Sequence, residues 1–230
     1  MATTSIGAPG VTFPDASVQA SATTGVPVLN VFTASGTWTK PATVKAIQVT
    51  VIGGGAAGGP ATIIAGAYQA SAGGGGGGGG SSIRLYPAPT IPGPQPYTVG
   101  TAGASSSFGV APITVITATA GSAGTAGTSI VSSTRFFEGG AGGSSSGGNL
   151  NIGGSAGAAG IVFSNSPITS VSGGLGGGTI LGGSAIGNAA GNNYGTGSGG
   201  ATRVAGASSN TGTTSSGAAA AGVVIIEEFY

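Results

Sequence analysis

Eight consecutive glycines, residues 73–80 in SAGGGGGGGGSS, restrict this chain more than any other feature. Glycine loses more backbone freedom on folding than any other residue. An ordered octaglycine must recover that cost through contacts that only a backbone without side chains can make. The other use of such a string is a flexible linker, which would join independent domains through one or two tracts. Here the tracts recur through most of the chain: IGGGAAGGP, AGGGGGGGGSS, EGGAGGSSSGG, NIGGSAGAAG, SGGLGGGTILGGS and NNYGTGSGGA alternate with short apolar or hydroxyl-rich segments. Their spacing varies, which excludes a solenoid of fixed period. Such tracts can adopt the extended helix with three residues per turn, whose amides and carbonyls point outward in three directions and need partners. Six or more packed side by side satisfy one another, with weak Cα–H to carbonyl contacts adding to the array. The pattern predicts a packed polyglycine-II lattice rather than a linker.

Composition has to allow such a fold, and with 52 glycines and 12 prolines in 230 residues it starts inside the range of low-complexity chains. Disordered chains stay open because they are poor in apolar residues and rich in charge, whereas this one is 39% hydrophobic and 4% charged. It is expected to collapse. Collagen is excluded because GGSAGAAGIVF breaks the obligatory glycine at every third position. No apolar run approaches the roughly 18 to 20 residues of a spanning helix, so no membrane insertion is expected. MATTSIGAPG lacks the basic start and apolar core of a secretory signal, which predicts no export by that route. Cysteine and histidine are absent, which removes disulfides, thiolate metal sites and the commonest general base. Five scattered basic residues and a net charge of +1 supply no face for nucleic acid.

The segments between the tracts read as β-strands. VLNVFTASGTWTKP gives strand, turn and strand, and in VKAIQVTVI the residues Ile47, Val49 and Val51 alternate with Ala46, Gln48 and Thr50, which predicts one buried face. The closing GVVIIEEFY begins as a continuous β-branched run, which reads as a central strand covered on both faces. The two ends of the main domain are expected to pair. Phe32, Trp38 and Phe108 are assigned to the core. Ahead of this, GVTFPDASVQASA predicts a short hairpin at residues 10–22 with Pro14 and Asp15 in its turn. The chain therefore divides into an N-terminal attachment segment, residues 1–27, and a glycine-rich β/polyglycine domain, residues 28–230. The fold class is mainly β: sandwich-like strands combined with a packed polyglycine-II lattice and essentially no α-helix.

Chemistry-bearing motifs are few. Gly53, Gly55 and Gly58 form G-x-G-x-x-G after a strand, but Pro60 follows instead of a helix, and no acidic residue stands about 20 positions on to hold a ribose. Glu227 and Glu228 are neighbours on a strand and point to opposite faces, a poor arrangement for a cooperating acid and base. No catalytic, cofactor-binding or metal-binding residues are assigned, and an enzyme is not expected. Tyr68, Phe136, Phe137, Phe163 and Tyr194 interrupt the glycine tracts where loops would join them, either covering the ends of the lattice or gripping a ligand. With so little charge, recognition would rest on hydroxyl and amide hydrogen bonds plus aromatic contact. Tyr68, Phe163, Asn165 and Tyr194 are the candidate ligand-binding residues, and neutral sugar is the expected ligand class.

VFTASGTWTKP with VKAIQVTVIGGG, PYTVGTAGASSSFG, GGNLNIGGSAGAAG, NNYGTGSGGA and the closing AGVVIIEEFY, in that order over roughly residues 28 to 230, resemble the glycine-rich proteins of tailed-bacteriophage tail fibres and related virion appendages. The hairpin GVTFPDASVQASA is similar to a short element near the ends of phage fibre chains. The resemblance implies a virion structural protein at a tail fibre or tail tip, extracellular when it functions. It would act as an adhesin whose loops contact a bacterial surface glycan or outer-membrane protein. It also implies docking to other virion proteins through the N-terminal segment, with Phe13, Pro14 and Asp15 as the attachment candidates, and a homo-oligomer, a trimer by analogy. The loops of the family's better-known members are rich in aromatics. This sequence departs in having few and in diluting its tracts with Ala and Ser, so a capsid decoration or baseplate component without a host ligand is the alternative.

Overall fold

The computed structural model describes residues 5–7, 10–12, 18–19, 25–64, 66–165, 168–207 and 210–230. It is mainly β, with several antiparallel sheets and one short 3-10 turn at Ala88–Thr90 among the described residues. Two five-stranded sheets face each other across the main core. The first runs Leu150–Ile152, Ser81–Pro87, Ala46–Ile52, Val223–Phe229 and Val28–Phe32; the second runs Ser145–Ser146, Ile116–Ala118, Ser106–Phe108, Gln95–Thr98 and Gly36–Trp38. Between them lie Ile47, Val49, Val51, Val224 and Ile226 from the first sheet against Trp38, Tyr97, Phe108 and Ile116 from the second. The rings of Trp38 and Tyr86 stand 6.4 and 5.7 Å from that of Phe108, tilted rather than stacked. Trp38 and Phe108 are buried as expected, while Phe32 is only partly buried and lies 4.5 Å from the Tyr97 ring.

The alternation in Ala46–Ile52 appears as read, with Ile47, Val49 and Val51 inside and Ala46, Gln48 and Thr50 half-covered. The two ends of the main domain also pair, Val28–Phe32 with Val223–Phe229. The closing strand corrects the sequence reading in one respect. It lies inside its sheet, between Ala46–Ile52 and the edge strand Val28–Phe32, but only one face is fully covered: Ile225 and Glu227 on the other face are half-buried. Its inward Glu228 is buried, and its carboxylate accepts hydrogen bonds from Trp38 Nε1 and Tyr230 Oη, both at 2.7 Å. Those two donors offset the cost of taking a carboxylate out of water.

Tyr86 is the second buried polar anchor, its hydroxyl donating to the Thr114 carbonyl at 2.7 Å beneath Arg84. Burial pushes its ionisation up from 10.0 to about 12, with the Arg84 charge pulling the other way. The unfolded chain therefore loses this proton first, so the contribution is intact below pH 10 and is lost as pH rises toward about 12. Melting temperature is expected to fall across that window, and Tyr86→Phe should make the fall shallower; an identical slope in the variant would contradict this assignment.

The glycine tracts connect the sandwich to a second set of small sheets. Residues 53–59 lead from Ala46–Ile52 to Ala61–Ile63, the octaglycine leads from Ala70–Ala72 to Ser81–Pro87, and residues 138–144 lead from Thr134–Phe137 to Ser145–Ser146. The eight amides of the octaglycine donate to three tracts in rotation at 2.8–3.0 Å. Gly73, Gly76 and Gly79 bond to Ala201, Ser198 and Gly195; Gly74, Gly77 and Gly80 to Thr125, Ser122 and Thr119; Gly75 and Gly78 to Ala158 and Ser155. Its carbonyls accept from three further tracts: from Gly53, Ala56 and Gly59, from Gly140 and Gly143, and from Gly174 and Gly177. Six neighbours thus surround one extended chain, and each is contacted again every third residue.

The dilution of other tracts with Ala, Ser and Thr follows from their position. In TAGSAGTAG, residues 119–127, Gly121 and Gly124 turn toward the octaglycine, where a Cβ would overlap the carbonyl oxygens of Gly77 and Gly74. Ala123 and Ala126 are exposed. The hydroxyls close the outer boundary. Ser122 donates its N–H to the Ala141 carbonyl at 2.9 Å while its Oγ accepts from the Ala141 N–H at 2.7 Å. Thr119 with Ser144 and Ser155 with Gly178 repeat the exchange.

Beyond the tracts, Thr134–Phe137, Gly160–Asn165 and Ile168–Ser172 form a three-stranded sheet, while Ala70–Ala72 pairs with Thr202–Val204 and Ala61–Ile63 with Gly212–Thr214. Ala70, Ala72, Ile130 and Val162 make a small core there, with Phe137 and Val171 against it. Near the N-terminus Gly10–Thr12 pairs with Val18–Gln19, as the hairpin reading expects, and Ser5–Gly7 adds a third strand that it did not include. Phe13, Pro14 and Asp15 lie outside the described residues.

Candidate ligand groove at the loop end

The register of the three-stranded sheet brings the site together. Thr134 stands opposite Phe163, and Phe163 opposite Ser170; Phe136 stands opposite Ile161. Side chains alternate between faces along a strand, so Thr134, Phe136, Phe163, Asn165 and Ser170 share the outer face, while Val162 and Phe137 turn to the small core. Phe163 is 51% and Phe136 63% exposed, an arrangement that leaves two aromatic surfaces facing water. A groove of about 220 Å³ lies along Phe163, lined by Thr134, Ser164, Asn165 and Ser170. Ser164 Oγ is committed to the Val131 carbonyl at 2.6 Å. The side chains of Thr134, Asn165 and Ser170 make no hydrogen bond among the described residues, so their hydroxyl and amide groups are open to a ligand.

Among the described residues, no charged side chain lines this groove. Arg135 belongs to the opposite face, its register partner being the buried Val162. Elsewhere the cations are tied to the scaffold. Lys40 Nζ donates to the Ala88 and Ile91 carbonyls at 3.1 and 2.8 Å, and Arg84 donates to the Gly147 carbonyl at 2.6 Å. Arg203 donates to Thr214 Oγ1, Asn210 Oδ1 and the Thr211 carbonyl.

Of the four residues singled out from the sequence, the fold unites two. Phe163 and Asn165 meet in the groove. Tyr68 lies at the same end in another loop, half-buried at φ 52°, with its N–H donating to the Gly206 carbonyl at 2.9 Å. Tyr194 sits at the sandwich end: its carbonyl accepts from Thr179 Oγ1, and the following Gly195 packs against Ile52 and Gly53. It is therefore removed from the groove by the length of a tract. Thr134, Phe136 and Ser170 are the additions. Two adjacent phenylalanines in TRFF cannot both face the core, and only the register with Gly160–Asn165 decides which one turns outward.

Gly53, Gly55 and Gly58 sit within the hydrogen-bonded array. The N–H groups of Gly53, Gly54, Gly55 and Gly59 donate to backbone carbonyls, and that of Gly58 donates to Ser198 Oγ. Amides committed in this way are not available to cradle a pyrophosphate. Among the described residues, no helix is long and apolar enough to cross a membrane. No protein-family model matches the sequence, and no curated protein matches it.

Proposed function

We propose that this chain is a bacteriophage virion protein, a tail-fibre or tail-tip adhesin, in which polyglycine-II helices packed as a lattice carry loops toward the host cell surface. The observation that carries this reading is the hydrogen bonding of residues 73–80, whose amides reach three tracts in rotation with a three-residue repeat while their carbonyls serve three more. A three-residue repeat is the signature of a helix with three residues per turn. Such a scaffold is stiff because every tract is held by its neighbours, and its loops are fixed at their ends. Binding groups on loops held by a rigid frame are how many scaffolds present a recognition surface.

The side-chain chemistry supports a structural and binding role over an enzymatic one. The buried carboxylate of Glu228 is committed to Trp38 and Tyr230, and Glu227 points to the other face of the strand. The N-terminal segment, with its own small three-stranded sheet, is the element that docks to another virion protein.

Cryo-electron microscopy of the virion tests the assignment. Density for this chain at the distal end of a tail fibre or tail tip is expected; a lattice position on the head would replace adhesion with capsid decoration. The docking element is tested separately by deleting residues 1–27. The expected product is soluble and melts cooperatively but is missing from purified virions, and normal incorporation of the truncated protein would overturn the docking role.

A further inference from the structure

We infer that the groove beside Phe163 is a binding site for a neutral saccharide. The inference rests on the adhesin reading for its biological setting but on the groove alone for its chemistry. A sugar ring has an apolar face of C–H groups and a rim of hydroxyls. Phe163, half-exposed on the outer face of its sheet, offers a flat aromatic surface to the first, and Thr134, Asn165 and Ser170 surround it with hydroxyl and amide groups for the second. Those three side chains have no hydrogen bond among the described residues, so a ligand hydroxyl displaces only water from them. An asparagine amide both donates and accepts, as do the two hydroxyls, which matches the mixed donor and acceptor character of a polyol.

Charge selects among sugars. Among the described residues the groove has no charged lining residue, and Arg135, the cation of this sheet, is turned to the other face. An anionic glycan would surrender hydration without gaining a counter-charge, so complementarity favours a neutral one. Size selects against a folded protein: a stable protein interface needs about 800 Å² on each partner, whereas a groove of about 220 Å³ is on the scale of a single ring. Phe136, exposed one register step away on the same face, extends the aromatic surface for a neighbouring ring of a chain.

The test uses the full-length protein on immobilised neutral oligosaccharides (glucan, galactan and N-acetylglucosamine oligomers) with sialylated and sulfated glycans beside them. Binding to at least one neutral oligosaccharide is expected, changing less than about twofold between roughly 50 mM and 500 mM sodium chloride because no ion pair contributes. Phe163→Ala should weaken it by about tenfold or more, and Phe163→Trp should preserve it. Melting temperature should be unchanged in both variants, since the side chain is half in water. No binding to any neutral glycan, equal binding by Phe163→Ala, or binding confined to charged glycans with a steep salt dependence would each overturn the site. Adsorption to host cells separates the two readings. Wild type and Phe163→Ala adsorbing equally would remove the groove and leave the adhesin, whereas wild type failing to adsorb would remove the adhesin whatever the glycan result.

Discussion

Replacing Gly76 and Gly77 together with alanine is expected to lower the melting temperature by about 10 °C or more. A Cβ on Gly76 would overlap the Ala56 carbonyl oxygen, and one on Gly77 would overlap that of Ala141. In both cases the obstacle is backbone already held by other tracts, so it cannot rotate away as a flexible side chain would. The Ala56 carbonyl already accepts from the Ser198 N–H at 3.1 Å, and the Ala141 N–H is held by Ser122 Oγ, so a shift at either point strains bonds made by a third chain segment. Overpacking typically costs about 1–3 kcal/mol per site, and each broken hydrogen bond adds about 1 kcal/mol. Two sites therefore give about 4 kcal/mol or more, at about 2–4 °C per kcal/mol for a chain of this size. The opposite sign is the control. In a flexible linker the same substitutions would be neutral or stabilising by about 0.4–1 kcal/mol per site, because alanine has less backbone freedom to lose. Calorimetry showing an unchanged or higher melting temperature would return residues 73–80 to linker status.

Removing residues 222–230 is expected to abolish folding, giving insoluble or protease-sensitive chain. Val223, Val224 and Ile226 are fully buried, and each contributes about 1.5–3 kcal/mol by burial, a sum comparable with the whole stability of a domain. The strand is also bonded on both sides, to Val28–Phe32 and to Ala46–Ile52. Its loss would leave two unpaired edges, a row of unsatisfied amides and carbonyls, and an open core above Phe108 and Trp38. Gly222 adds a tie to the tracts, donating to the Gly100 carbonyl at 2.8 Å. A truncated protein that stays soluble and melts cooperatively would show that the sandwich closes without this interior strand.

The candidate site was legible in part. Phe163 and Asn165 could be picked out because an aromatic and an amide break a glycine tract near a turn. Joining them to Thr134 and Ser170 requires the pairing Thr134↔Phe163↔Ser170 across three strands, a register that no local pattern in these short segments specifies. Tyr194 met the same local criterion, yet it lies at the other end of the tracts, because the direction of each tract is set by where the chain has already been.

Local physics within the sequence determined the strand content, the alternation of Ile47, Val49 and Val51, the opposite facing of Glu227 and Glu228, and the pairing of the two ends of the main domain. Each of these follows from a two-residue side-chain period or from apolar segments that must be buried. With no side chain in any of its three directions, the tract at residues 73–80 can accept close neighbours on every side. Tertiary structure alone decided which tracts those neighbours are, and therefore where glycine is required. TAGSAGTAG keeps glycine only on the face that meets the octaglycine and carries Ala, Ser and Thr on the others. The covering of the closing strand was decided at the same level. Its β-branched run suits a strand buried on both faces, but whether a second layer lies over Ile225 depends on segments far away in the chain, and here none does so fully.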